Sequence, residues 1–161
     1  MFRNIYTNLI PSVIEGVIMV RQSEKQAPLW LRNKIMKLSK QERHSLSKFK
    51  NNTRETRMIK HAQRRGIYVI YKGKKCIYVG KVRDSKNRKD GKMRTLSDRL
   101  YDLAMGGSHT LVKRHKTNLK DLTNYSVRMI ACRPKDKRSL LEHYAIVVLH
   151  PVHFEDDGCM D

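Results

Sequence analysis

The sequence predicts an α/β chain of the α+β type: a small, mainly antiparallel three-stranded sheet flanked by helices, with a basic helical N-terminal extension. Three observations carry this. Two β-branched and aromatic runs, Gly66-Ile-Tyr-Val-Ile-Tyr71 and Cys76-Ile-Tyr-Val-Gly80, flank the glycine-containing turn Lys72-Gly-Lys-Lys75 and read as a hairpin. Tyr125 to Ala131 is a third run of strand texture. Between and after them stand stretches whose apolar residues recur at helical spacing.

The first 22 residues are apolar without a clean period, and Pro11 interrupts them. A strand plus a helix packed on the main domain, and a dimer contact, both remain open for them. Leu31, Ile35 and Leu38 then recur at i, i+4 and i+7, with Leu46 and Phe49 continuing more loosely, so a helix is expected over about 28–50, with Pro28 in its first turn. Residues 50–63 read as a polar helix or arm. From Arg32 to Arg65 twelve basic residues face only Glu42 and Glu55. The texture changes there, which places a boundary between a basic extension, 1–65, and a second unit, 66–161.

In the hairpin a three-residue loop would set Tyr68 opposite Tyr78, with Ile67, Val69, Ile77 and Val79 on one face and Tyr68, Ile70, Cys76 and Tyr78 on the other. A two- or four-residue loop would make the tyrosines diagonal neighbours. A basic loop spans 81–95. Thr95 then opens a helix as N-cap with Asp98 three residues on, Leu96, Leu100, Leu103 and Ala104 form its stripe, and Gly106-Gly107 ends it. Arg99 lies at the edge of that stripe. The last helix, about 137–149, stops at Pro151, and its apolar residues cover most of the circumference, which predicts burial nearly all round. Glu142 falls on an apolar sector of it. A carboxylate there needs a metal or a cationic partner, an arginine ion pair being the structural option.

Thirty-five Lys and Arg against fifteen Asp and Glu give a net charge of +20. A self-repelling excess of that size points to a polyanionic partner, nucleic acid first. No apolar run is long enough to span a bilayer, and no basic start leads into a continuous apolar core, so membrane insertion and secretion are not expected. Three cysteines without CxxC spacing argue against a disulfide framework and a zinc knuckle, and for reduced thiols in the cytoplasm or nucleoid. His143 and His150 stand two helical turns apart, too far for a shared zinc.

Gly66-Ile67-Tyr68, ten residues before Tyr78-Val79-Gly80, resembles the signature of the GIY-YIG nuclease superfamily, with Val for the central Ile of the second half. Leu96-Ser-Asp-Arg99-Leu100 is similar to that family's arginine helix, and Glu142, ahead of Pro151, looks like its metal-ligating glutamate. The resemblance covers about residues 66 to 154. It implies a metal-dependent endonuclease that hydrolyses DNA phosphodiester bonds, of the stand-alone restriction-type or phage and mobile-element kind. The implied partner is double-stranded DNA, with dimerisation on the substrate left open.

The implied catalytic residues are Tyr68, Tyr78, Arg99 and Glu142. Tyr68 would activate or orient the attacking water, and a phenol with an ordinary pKa of about 10 needs nearby positive charge to do so. Lys74, Lys75 and Lys81 are candidates to supply it. Tyr78 would bond the phosphate or its water. Arg99 would grip two phosphate oxygens with its planar fork. Glu142 would bind one Mg²⁺, or Mn²⁺ in its place, with water and phosphate oxygens completing the shell.

The chain departs from the family pattern in three ways. Its loop after Gly80 is long and basic, which makes Lys86, Arg88, Lys89, Lys92 and Arg94 DNA contacts, and the N-terminal extension, 1–65, is expected to supply further ones, with Arg64, Arg65 and Arg114 singled out. Leu103 stands where a histidine often follows the arginine helix, leaving His109 as a substitute. Val152-His153 replaces a common asparagine, leaving His153. The alternative function is a non-catalytic nucleic-acid binder on a nuclease scaffold.

Overall fold

The computed structural model describes residues 27–51, 53–85, 91–106, 111 and 122–153. The apolar first 22 residues, the basic stretch 86–90, His109 and Arg114 lie outside them. In chain order the elements are α1 (Leu29–Ser39), β1 (His44–Ser45), a 3₁₀ turn (Leu46–Asn51), α2 (Arg54–Met58), β2 (Gly66–Lys72), β3 (Lys75–Lys81), α3 (Leu96–Ala104), β4 (Tyr125–Ala131) and α4 (Lys135–Leu149). The α+β class expected from the sequence is present, but the sheet has four strands, in the order β1-β4-β2-β3, with every pair antiparallel. The extra strand, His44–Ser45 on β4, is two residues long, too short for alternation to reveal.

Helix α1 ends at Ser39 instead of running to residue 50. The reason lies in packing. Leu31, Ile35 and Leu38 bury against one face of the sheet, whereas Leu46 and Phe49 bury against the other. The chain must pass the sheet edge between them, and β1 forms at that crossing. Residues before 66 thus join both cores and the sheet itself.

The hairpin turn holds two residues, Gly73 and Lys74, between paired Lys72 and Lys75. Gly73 has φ +56°, a left-handed conformation in which a Cβ is strained. The register then slips: Tyr71 pairs with Cys76 and Ile70 with Tyr78, which leaves Ile77 as a bulge residue. Two expectations change as a result. Tyr68 pairs with Gly80, so the tyrosines are diagonal neighbours. Ile77 joins Tyr68, Ile70 and Tyr78 on the first face, and Cys76 turns to the second.

On the first face Tyr68, Ile70, Tyr78, Val127 and Met129 pack with Leu96, Leu100 and Leu103 of α3 and with Leu46 and Phe49. On the second, Ile67, Val69, Val79 and Ile130 pack with α1 and with Leu141 and Ala145 of α4. The expectation that α4 is buried nearly all round fails. Arg138, Leu141, Glu142 and Ala145 form one buried stripe, while Leu140 and Val147 stand 48% and 40% exposed. The sheet covers one side of the helix and nothing described covers the far side. Cys76 and Cys132 are free thiols. Among the described residues no helix is long and apolar enough to cross a membrane.

Candidate active site

At one end of the sheet β2 begins while β3 and β4 finish, because their pairing is antiparallel. Tyr68 is the third residue of β2, fully buried, and Tyr78 is 2% exposed. Their ring centroids lie 6.2 Å apart with planes at 39°, within the range of favourable aromatic pairs. Gly80 makes this possible. A Cβ at Gly80 would stand 2.6 Å from the Tyr68 Oη and 2.6 Å from a Tyr78 ring carbon. The absent side chain is the space that the two phenols fill.

Lys81 follows Gly80 and turns to the opposite face. Its ammonium lies 2.7 Å from a Glu142 carboxylate oxygen, the two side chains being 21% and 9% exposed. The cationic partner that Glu142 requires is therefore a lysine, not one of the arginines. Lys81 pairs with Ile67, the residue before Tyr68. The tyrosines project towards α3 and Glu142 arrives from α4, on the opposite face of the sheet, with Gly80 and Lys81 adjacent on β3 between them. Lys74 and Lys75 sit at the hairpin, the other end of the strands, which removes them as helpers of Tyr68.

Helix α3 is anchored at the same end. The Leu96 N–H donates to the Arg64 carbonyl at 2.9 Å and the Ser97 N–H to Ala62 at 2.8 Å. Thr95 and Asp98 form the expected capping box. Arg99, in the first turn, is partly exposed. The two acids that could have neutralised it are engaged elsewhere: Asp98 accepts from the Thr95 N–H and hydroxyl, and Asp102 pairs with Arg94. Arg94 is accordingly a helix tether in this structure, and Arg65 pairs with Asp84 at 2.5 Å. Arg64 and Lys92 are exposed.

The sequence reading missed Arg138. It is 1% exposed, donates to the Cys132 and Arg133 carbonyls at 3.2 and 2.8 Å, and meets Asp84 at 2.7 Å. Asp84 thus joins the start of α4 to the segment after β3 and, through Arg65, to the entry of β2. Burial pushes the Asp84 carboxyl up, but hydrogen bonds and charge from Arg138 and Arg65 outweigh it and hold it below the usual range. Arg138 stands four residues before Glu142, and two charges at i and i+4 on a buried stripe were the available signal.

After α4, His150 adopts φ 44° and the chain doubles back along the free edge of β3. Val152 and His153 donate their N–H groups to Cys76 and Ile77 at 3.2 and 2.9 Å, which sets His153 beside Tyr78 in a parallel bridge. This covers an otherwise unpaired edge. Among the described residues no three His, Cys, Asp or Glu side chains converge on a metal position. A single buried carboxylate suits Mg²⁺, which keeps water and substrate phosphate as its other ligands. The Glu142 carboxylate is taken up by the Lys81 ammonium, which a bound cation would have to displace. No known protein family matches the chain, and no curated protein matches it.

Proposed function

We propose that the protein is a metal-dependent endonuclease of the GIY-YIG type that hydrolyses phosphodiester bonds of double-stranded DNA, in the cytoplasm or nucleoid. The observation that carries this reading is the nest of Tyr68 and Tyr78 over Gly80, with Lys81 and Glu142 paired one residue further along β3. The anchoring of the α3 N-terminus at that same end supports it, Arg99 being a first-turn residue of that helix whose two neighbouring acids are both occupied. The net charge of +20 supports a polyanionic substrate.

In this reading Tyr68 orients and deprotonates the attacking water, and Tyr78 bonds the phosphate beside it. Lys81, on the face of β3 opposite the phenols, holds the Glu142 carboxylate. Arg99 holds two non-bridging oxygens and stabilises the charge that builds on them. A divalent cation bound at Glu142 would add charge at the scissile phosphate. His153, bridged through its backbone to Tyr78, would be the residue that handles a proton there. Within the family resemblance, the reading extends to a restriction-type or phage and mobile-element role.

One observation favours the alternative of a non-catalytic nucleic-acid binder: Glu142 already has an ammonium partner in a nearly enclosed pair. Incubating supercoiled plasmid with Mg²⁺ or with EDTA decides between them. The nuclease reading expects metal-dependent nicking that disappears in Tyr68→Phe and Glu142→Gln while DNA binding persists. Shifted bands without cleavage under Mg²⁺ or Mn²⁺ would leave the binder.

A further inference from the structure

The far end of the sheet gathers cations in a different way. Lys72, Lys74 and Lys75 are exposed on the hairpin. The Arg43 guanidinium lies 3.9 Å from the centroid of Tyr71 and donates to the Gly73 carbonyl at 2.5 Å, which fixes it against the turn. Arg128 sits 5.6 Å from the same ring and donates to the Gln41 carbonyl at 2.8 Å. Lys72 lies 5.8 Å from the Tyr125 ring. None of these five cations has an ion pair with an acid among the described residues. Aromatic faces and carbonyl oxygens orient a cation without cancelling its charge. Two guanidiniums crowded on one tyrosine repel each other, and an external anion would relieve that repulsion.

We infer that this hairpin end is a second phosphate-binding surface, gripping the same DNA duplex about four residues along the sheet from the tyrosine pair. The inference rests on the nucleic-acid reading of the site. From the Tyr68–Gly80 pair to the Lys72–Lys75 pair is four strand residues, ~13 Å. That span corresponds to about four base pairs of duplex at ~3.4 Å each. The surface therefore contacts backbone phosphates flanking the cut and carries no base-reading role. It positions the duplex and supplies affinity, while the other end acts on the bond.

The test measures binding of the full chain to a 20-base-pair duplex by fluorescence anisotropy, in EDTA, across a salt series. Cleavage plays no part under those conditions, so the result is read separately from the nuclease reading. Each phosphate contact contributes ~0.9 to the slope of log affinity against log salt. Lys72→Gln/Lys74→Gln/Lys75→Gln should lower the magnitude of the slope by about 2 to 3, with roughly tenfold or greater loss of affinity at moderate salt. Arg32→Gln/Lys37→Gln, on the exposed side of α1, should lower the slope by less per charge than the hairpin variant does. An unchanged slope in the hairpin variant, or an equal fall per charge in the α1 variant, would overturn the inference. A second readout needs no variant: acetylation of the unmodified protein, followed by peptide mass spectrometry. Lys72, Lys74 and Lys75 should be shielded by the duplex, and equal labelling with and without DNA would overturn the proposal.

Discussion

The two ends of the sheet handle positive charge in opposite ways. Where β2 begins, cations meet carboxylates: Lys81 with Glu142, Arg65 and Arg138 with Asp84, Arg94 with Asp102. At the hairpin they meet aromatic rings and carbonyls: Arg43 and Arg128 on Tyr71, Lys72 on Tyr125. On the proposed function the difference is one of task. Partly enclosed ion pairs cost desolvation and return geometry, which serves a site that must hold groups in fixed relation. Cations left without acids keep their charge for a partner, which serves affinity and orientation.

The sharpest way to break this contrast is to remove one group from the first end. Glu142→Gln or Tyr68→Phe should lower DNA cleavage by about 10²–10³-fold in a single-turnover assay, with affinity for DNA little changed. Equal losses of cleavage and binding would show that the two ends are not specialised.

Gly80→Ala is the next test in size. Its new Cβ meets both phenols at 2.6 Å. The rings must move, at a stability cost of about 1–3 kcal/mol by thermal or urea unfolding. Cleavage should fall by more than that stability loss explains, because both tyrosines are displaced.

Asp84→Asn strips the carboxylate from the buried Arg138 and should cost about 1–3 kcal/mol at neutral pH. The carboxyl is held below its usual range in the folded chain. Its contribution is therefore complete above about pH 4 and is lost as the pH falls through the lowered folded value. Unfolding curves of the parent and Asp84→Asn should differ at pH 7 and converge in strong acid. A gap that persists at the lowest pH would show that the clamp acts through packing instead.

At the other end effects should be small. Arg43→Ala removes the stack on Tyr71 and should cost about 0.5–1 kcal/mol, with cleavage at saturating enzyme unaffected. Burial pushes the Cys76 thiol up to about 11. It should resist iodoacetamide at pH 8 in the native protein, as followed by peptide mass spectrometry, and become reactive on unfolding.

Much of this arrangement was legible in the residues themselves. The hairpin runs, the Thr95–Asp98 box and the strand at Tyr125–Ala131 each carry a local signal, and each stands where that signal puts it. Glu142 also announced its need for a cation. What escaped was non-local. The bulge at Ile77 depends on how β3 pairs with β2, and alternation alone sets Cys76 and Ile77 on the wrong faces. Likewise, helical spacing continues loosely through Leu46 and Phe49, although those residues serve the opposite side of the sheet. Arg138 looks like one more basic residue until Asp84, 54 positions earlier in sequence, is brought against it. Lysine as the partner of Glu142 follows from the strand–helix packing that sets Lys81 beneath α4.

Isotope labelling tests the central chemistry most directly. A single turnover of duplex cleavage in ¹⁸O-water with Mg²⁺ should place one ¹⁸O atom on the terminal phosphate of the product, and Tyr68→Phe and Glu142→Gln should give almost no labelled product. Failure of the unsubstituted protein to yield any labelled phosphate, or undiminished labelling in both variants, would contradict hydrolysis at the tyrosine pair.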